Sequence, residues 1–576
     1  MSILPVRRSL IPSKLSRSRV AGAASLLVLG CALLPALAQG GEPTPVIGST
    51  NTVTADPPVA RPHTTPCRVS LFSSLAFNDY SPRYFTYAPP AACAGPWAKV
   101  VLEGDFSVNA GIQYDRTANL WLGGTNIYFG TTQEPTPTVA PSWHVERDLT
   151  DYSALFTSSQ NGEADVFNIV NSTYTGVITG SVDIAFYPLE RSEAPPVVAD
   201  AVLPLSAGPT GETVSLNTPT DTLSKSFTLP TNVERAYLDV IAQGQQSDEF
   251  WYSCVPDALV AATGACTGTG FRETEISIDG TPAGVAPVYP WIFTGGFDPS
   301  LWEPIPGVQT LDMKPYRVDL TPFAGLLSNG AAHTVSLGVV NADQYFSATA
   351  TLLLYEDHGR KKVTGAVTSN TLSAAPAPVV NNGVQTAADG SVSGTVTVTS
   401  SRRFAIAGYV DTSHGRVTTE VSQDVAFSNA QAFTINATTY AQDVTQKSSV
   451  ATITTTRSDA GEQVTVGSVE WPLTANIDQV QNSDGTYLLT FTVKQTDKEG
   501  GVSTVDGFPL SYDVLSNEVS SQAALTFDAD GNFTGVTTSS NQSYFQTGTD
   551  ERCYSRTLAS SNNALTGVTN GAECGP

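Results

Sequence analysis

Apolar and polar residues alternate in short runs over most of this chain, the period-two signature of half-buried β-strands. From about Cys67 to Pro188 the runs include Val100-Val101-Leu102 leading to Phe106-Ser107-Val108, and Ser181-Val182-Asp183-Ile184-Ala185-Phe186-Tyr187. Pro195-Pro196 marks a boundary. A second set runs from roughly Phe227 to Tyr355, with Tyr237-Leu238-Asp239-Val240-Ile241, Thr274-Glu275-Ile276-Ser277-Ile278 and Thr349-Ala350-Thr351-Leu352-Leu353-Leu354-Tyr355. Many short strands bounded by turn residues are the pattern of sandwiches and jelly rolls. From about Lys361 Thr and Ser become dense. There Asn482-Ser483-Asp484-Gly485, between apolar runs, predicts a hairpin turn. Asp528-Ala529-Asp530-Gly531-Asn532 starts like a calcium loop but lacks the later acidic ligand, so it reads as a turn.

The two sandwich regions share a phrase. Asp148-Leu149-Thr150-Asp151-Tyr152 in the first answers to Asp319-Leu320-Thr321-Pro322-Phe323 in the second, each followed by apolar residues and then a β run. An Asp or Thr at these places caps a short helical turn, and the repetition points to two domains of one kind. The expected architecture is all-β: two consecutive jelly-roll-like β-sandwich domains over residues 67–193 and 194–360, then a C-terminal β-rich accessory domain over residues 361–576. At roughly 150 residues per domain, a 576-residue chain has room for all three.

The N-terminus changes the picture. Arg7, Arg8, Lys14, Arg17 and Arg19 precede the apolar stretch Val20–Leu37, and Ala36-Leu37-Ala38 offers a small-x-small cleavage site. Residues 1–38 thus read as an export signal, and the Pro- and Thr-rich residues 39–66 as a linker. The expected location is secreted or periplasmic, with no membrane insertion once the signal is gone. Cys31 leaves with the signal. The other six cysteines fall in local pairs, Cys67/Cys93, Cys254/Cys266 and Cys553/Cys574, and an exported chain forms disulfides. Six cysteines allow 15 pairings; proximity in sequence selects these three. No Cys-x-x-Cys occurs and the five histidines are scattered, so no zinc site is expected. A formal charge of −24 makes nucleic acid a poor partner, because phosphate binding needs clustered Lys and Arg.

Chemistry concentrates before residue 303. QYDRTANLWLGG, residues 113–124, begins like a strand, yet Asp115 and Arg116 stand in its middle, where strands rarely place charges. Asp248-Glu249-Phe250-Trp251-Tyr252 follows a strand and Gly244, on an expected loop, and Trp291 and Trp302 flank Thr294-Gly295-Gly296-Phe297-Asp298. Flat aromatic faces beside carboxylates suit sugars, whose rings stack through C–H faces while hydroxyls donate to carboxylates. The same aromatics also serve as sandwich core, and Asp248-Glu249 as a solvated turn. No Gly-x-Ser-x-Gly with plausible partners is present, which leaves carboxyl pairs acting on water as the expected apparatus.

The first sandwich region resembles the peptide-N-glycosidase A family, peptide-N-acetylglucosaminyl-asparagine amidases. The likeness runs through Gln113-Tyr114-Asp115-Arg116, Trp121-Leu122-Gly123-Gly124, Thr132-Gln133-Glu134-Pro135, Trp143-His144-Val145-Glu146-Arg147-Asp148 and Asn168-Ile169-Val170-Asn171. In the second region it continues through Asp248-Glu249-Phe250-Trp251-Tyr252, Phe271-Arg272-Glu273, Thr294-Gly295-Gly296, Leu301-Trp302-Glu303-Pro304 and Asp319-Leu320-Thr321. It covers about residues 67–360, and many motifs keep their order. The resemblance implies hydrolysis of the amide joining the innermost N-acetylglucosamine of an N-glycan to Asn. The Asn becomes Asp, the partners are N-glycosylated proteins or glycopeptides, and no cofactor is implied.

Tyr114-Asp115-Arg116-Thr117-Ala118-Asn119 is also similar to the Trp-Asp-Arg-Tyr-Ala-Asn motif of the shorter peptide-N-glycosidase F type, whose Asp is catalytic. That similarity implies Asp115 as the primary catalytic carboxylate, with Arg116 orienting it or binding the core sugar. Glu249 is the second catalytic candidate on physical grounds: among Phe250, Trp251 and Tyr252 burial favours its neutral form, while Arg116 favours ionised Asp115. The A-family pattern carries a Cys just before this acidic pair; here Ser247 stands there and Cys254 comes later. Glu134 is a reserve candidate, or a turn residue before Pro135. Arg116, Glu134, Asp248, Trp251 and Trp302 are the expected substrate contacts. The rival readings are a non-catalytic glycan-binding or adhesion protein and a glycoside hydrolase with paired carboxylates.

Overall fold

The computed structural model describes residues 45–191, 193–206, 208–549, 553–572 and 574; the expected export signal and the first part of the expected linker lie outside them. No helix among the described residues is long and apolar enough to cross a membrane.

Eight antiparallel strands make the first sandwich. In chain order they are Cys67–Phe77, Arg83–Tyr87, Trp97–Val108, Thr117–Leu122, Thr125–Thr131, Ser142–Asp148, Gln160–Val166 and Ile178–Pro188. One sheet has the order first, eighth, third, sixth; the other has second, seventh, fourth, fifth. This is jelly-roll topology, in which most neighbours in each sheet are distant in sequence, the fourth and fifth strands alone forming a hairpin. Alternation closes the core: Val182, Ile184 and Phe186 point inward from the eighth strand, onto Trp97, Phe156 and Tyr87.

The second sandwich repeats the plan with Val214–Leu216, Leu223–Thr228, Val233–Gln245, Glu273–Ile278, Thr281–Pro287, Tyr316–Asp319, Ala332–Val339 and Tyr345–Glu356, and the same two strand orders. Ala201–Pro204 adds a ninth strand beside Tyr345–Glu356. The shared phrase occupies the same place in both rolls, at the end of the sixth strand. Asp148 Oδ1 accepts the Thr150 N–H at 3.0 Å, and Asp319 Oδ1 accepts that of Thr321 at 2.9 Å. The following Leu N–H bonds back to the third strand each time, Leu149 to Val100 O and Leu320 to Ala236 O. One local rule thus turns the chain identically in two places.

Beyond residue 363 the chain forms one large sheet, a meander whose central strands are 19 to 21 residues long, from Val392–Thr412 to Phe508–Phe527. Asn482–Thr486 turns one of its hairpins, as the Asn-Ser-Asp-Gly pattern predicts, and Asp528 closes a later one by accepting the Asp530 and Asn532 N–H groups. Among the described residues this sheet has no second layer of its own. Its inner row, including Phe427, Val450, Trp471, Leu473, Phe491 and Val493, belongs to the same core as the second roll.

Three disulfides join Cys67 to Cys93, Cys254 to Cys266 and Cys553 to Cys574. Residues 45–66, expected as a linker, run as an extended strap across all three parts. Gly48 and Ser49 pair with Leu565, Val53 N–H reaches Pro304 O, Ala55 N–H reaches Gln542 Oε1, and Arg61 pairs with Glu103 and Glu146.

Candidate active site

The Asp-Arg pair stands where the loop 109–116 enters the strand Thr117–Leu122, at the seam between the two rolls. Two contacts place Asp115. Its own N–H donates to Glu134 Oε1 at 3.0 Å, within the first roll. Its Oδ2 accepts the Gly295 N–H at 2.9 Å, from the second roll. Arg116 is pinned by its backbone to Thr132 and by its guanidinium to Gln113 Oε1 at 2.8 Å.

Gly295 is there for a steric reason. A Cβ on it would overlap Glu134 Oε1 and stand 3.1 Å from Asp115 Oδ1. The turn that presents it is held from both sides: Thr294 Oγ1 donates to Thr132 O at 2.6 Å, and Trp302 Nε1 donates to Gly296 O at 2.7 Å. Thr-Gly-Gly between two Trp residues is the sequence signal for this turn, but nothing in the pattern says that one of its backbone N–H groups meets Asp115.

Glu249 completes the group. It lies in the 3-10 segment Gln246–Ser253 that follows the long strand Val233–Gln245, and Asp115 is near enough to act on its charge. Burial pushes Glu249 up to about 8, and the Asp115 charge adds to it. Burial also pushes Glu134 up to about 8, with Asp115, Glu303 and Asp298 all raising it further and the Asp115 N–H pulling against them. For Asp115 burial again raises the carboxyl, while the Gly295 N–H and the Arg116 charge oppose the shift; the net direction is still upward. Burial thus raises all three carboxyls, and of the three Asp115 alone has the Gly295 N–H and the Arg116 charge favouring its charged form.

The other expected contacts sit differently. Asp248 is fully buried; its Oδ1 accepts from Arg272 Nε and Nη2 at 3.0 and 2.7 Å, and its Oδ2 from the Asp343 N–H. That clasp fixes the start of the Glu249 segment and leaves no carboxylate for a ligand. Trp251, 2% exposed, packs its ring 6.2 Å from Phe427 of the large sheet, and Trp302 is 0% exposed. Both are core and support the site from behind. Tyr114, in a stretch that reads as the start of a strand, points outward at 55% exposure, its ring 5.5 Å from that of Tyr174. Tyr114 directly precedes Asp115, so this ring pair forms an outward aromatic surface of the kind on which sugars stack. The alternation pattern missed it because Tyr114 precedes the strand and does not share its register.

Two further features lie away from the carboxyl group. A cavity of about 1390 Å³ opens between the strap, both rolls and the large sheet, and none of the three carboxyls lines it. Glu234, Asp357 and His414 bring their ligand atoms within 4.8 Å of one another. There Asp357 accepts from Ser413 N and Oγ, so its carboxylate serves to hold the hairpin at His414.

Comparison with known proteins identifies the family of this chain. The family model for "Peptide N-acetyl-beta-D-glucosaminyl asparaginase amidase A" matches residues 57–373. An almond (Prunus dulcis) protein, peptide-N4-(N-acetyl-beta-glucosaminyl)asparagine amidase A, is 29% identical over 569 residues, covering 92% of this chain and 95% of its own. Among solved structures, PNGF-II is 12% identical with a TM-score of 0.35, over 51% of this chain and 66% of that one. PNGase F, a glycosylasparaginase from Flavobacterium meningosepticum, is 15% identical with a TM-score of 0.34, over 51% of this chain and 96% of that one. Both are distant likenesses.

Proposed function

Since the chain belongs to the peptide N-acetyl-beta-D-glucosaminyl asparaginase amidase A family, we propose that it is a glycoamidase acting at the seam between its rolls. The bond cut is the amide between the innermost N-acetylglucosamine of an N-linked glycan and the Asn side chain of a glycoprotein or glycopeptide. The observation that carries the reading is Asp115 held between the rolls, its N–H on Glu134 and its Oδ2 on the Gly295 N–H, with Glu249 near enough to feel its charge. Hydrolysis of an amide needs a base for water and an acid for the leaving nitrogen, at one place and one pH. In this reading Asp115, with the Arg116 charge beside it, is the base, and Glu249, pushed up to about 8 by burial, is the acid.

In this proposal the Asp115 carboxylate takes a proton from water as its oxygen attacks the Asn side-chain carbonyl carbon. The C–N bond of the tetrahedral adduct then breaks, and the Glu249 carboxyl gives its proton to the departing nitrogen. Asp and a glycosylamine leave; the glycosylamine later loses ammonia to water. One proton has moved from Glu249 to Asp115 through the products, and exchange with solvent restores both. Glu134 stays neutral, holding the Asp115 backbone without adding a second negative charge against it. Arg116 supports the charged form of Asp115. The innermost sugar stacks on the Tyr114 and Tyr174 rings.

Digestion of an N-glycopeptide in heavy-oxygen water tests the reaction. A glycoamidase yields a peptide with labelled Asp and an intact glycan carrying both innermost sugars. Sugar remaining on Asn would mean cleavage between sugars, and an unchanged glycopeptide would mean binding alone.

A further inference from the structure

The large sheet turns a row of buried amides toward the segment that carries Glu249. Asn429 Nδ2 donates to Tyr252 O at 2.7 Å, Gln442 Nε2 to Ser253 O at 3.1 Å, and Gln431 Nε2 to Cys254 O at 2.7 Å. Three consecutive backbone carbonyls are therefore each met by a different side chain from another part of the chain, some 177 to 189 residues away. The second N–H of each amide links the row. Gln442 donates to Gln431 Oε1 at 2.9 Å, Gln431 to Asn429 Oδ1 at 3.0 Å, and Asn429 to Gln446 Oε1 at 3.1 Å; Tyr440 Oη donates to Gln442 Oε1 at 3.0 Å. Every link runs in the same direction, so no member can turn without breaking its neighbour's bond.

All three amides are nearly dry: Asn429 and Gln431 are 1% exposed and Gln442 is 3%. A buried polar row in a core that apolar residues otherwise fill is retained against its desolvation cost only where each group is satisfied. Contact is close, since a Cβ on Gly270 would fall 2.8 Å from the Asn429 side chain. The neighbouring loop is gripped in the same manner. Gln495 Nε2 donates to Pro290 O at 2.7 Å and its Oε1 accepts the Val308 N–H at 2.8 Å, bracketing the turn that presents Gly295.

We propose that Asn429, Gln431 and Gln442 are positioning residues for Glu249, so that the large sheet is a working part of the active site although it touches no substrate. The proposal rests on the glycoamidase reading. The segment Gln246–Ser253 is clasped at its start by Asp248 and Arg272; the amide row clasps its end, and Glu249 is held between the two. Because a small misplacement of a reacting group costs much rate, the effect falls on turnover rather than on substrate binding.

The test compares Gln431→Met with Gln542→Met. Gln542 is an equally buried amide of the same sheet, but it accepts the Ala55 N–H of the strap and serves no site loop. Gln431→Met is expected to lower kcat by about tenfold or more, with KM within about twofold, and to move the alkaline limb of the pH profile as the surroundings of Glu249 change. Gln542→Met is expected to lose comparable thermal stability and keep kcat. Hydrogen exchange over residues 246–255 should quicken in the first variant alone, a readout that does not depend on turnover. If Gln431→Met does not fold, Gln442→Met at the margin of the row takes its place. Unchanged kcat and exchange in Gln431→Met, or equal kcat losses in both variants, would overturn the proposal. Wild-type protein that leaves the glycopeptide uncut counts against the glycoamidase reading alone, and the exchange comparison still decides whether the row positions the segment.

Discussion

At the scale of single residues, the site depends on charge states that neighbours impose. Asp115→Asn keeps the two backbone contacts but removes the base, so kcat should fall by about 10²- to 10⁴-fold with little change in melting temperature. The pH profile follows from the same groups. Activity needs Glu249 protonated and Asp115 charged. It should therefore decline as pH rises through about 8, where burial has placed Glu249. It should also decline in acid, at a pH above the ordinary Asp range, because Asp115 is raised too. Glu249→Gln should remove the alkaline limb along with most of the rate, measured as kcat/KM across pH. Tyr114→Ala tests the exposed ring: KM for a glycopeptide should rise, by about tenfold if stacking contributes its usual share, with kcat nearly kept. At this scale the odd charges of Asp115 and Arg116 and the aromatic neighbours of Glu249 are legible in the sequence, while the role expected of Asp115 is what a resemblance implies. Asp248, expected as a substrate contact, meets Arg272 instead, a partner that adjacent acids on a loop do not reveal until the fold is known. The Gly295 N–H was invisible, since a backbone donor has no letter of its own.

Among elements, the segment Gln246–Ser253 matters most. It is short, its backbone leaves helical geometry at Phe250, and the Cys254–Cys266 disulfide lies directly behind it, with both Sγ atoms near Phe250 O. Closing a loop of this size restricts the unfolded chain, worth about 3 kcal/mol in the loop-entropy account. Replacing both cysteines by Ser should lower the melting temperature and, beyond that, lower kcat at temperatures where the variant remains folded. Equal activity per folded molecule would mean that the bridge serves stability alone. The strands themselves were legible as alternation, and the shared Asp-Leu-Thr phrase marked equivalent corners of two rolls. What alternation could not say was which strands pair. The order first, eighth, third, sixth joins residues more than a hundred positions apart, and only the packed sheets reveal it.

For the whole molecule, the expected accessory domain turns out to share a core with the second roll, so its removal should be costly. A chain ending at residue 373, where the family match ends, would expose Trp251, Phe271 and the inner wall of the second roll; aggregation rather than a smaller active enzyme is the expected outcome, checked by solubility and light scattering. Acidity also acts on the entire fold. Burial pushes Glu134, Asp165, Glu249 and Glu273 each up to about 8. Between the ordinary carboxyl range and about 8 the folded chain holds protons that the unfolded chain has released, so stability declines as pH climbs through that window. The melting temperature should accordingly be higher near pH 5 than near pH 8, and Glu134→Gln should narrow the gap.

The strap gives this molecule a particular folding history. Residues 45–66 are made early, yet Ala55 bonds Gln542, Asp56 bonds Asn517, and Ser49 pairs with Leu565, partners that emerge from the ribosome nearly five hundred residues later. The segment translated almost first must be seated almost last, after the final hairpins of the sheet exist to receive it. Contacts of such long range fold slowly, and until they form the chain keeps an open groove along its length. Refolding followed by Trp fluorescence should show a slow final phase, and that phase should vanish when residues 45–60 are deleted while the faster formation of the rolls persists.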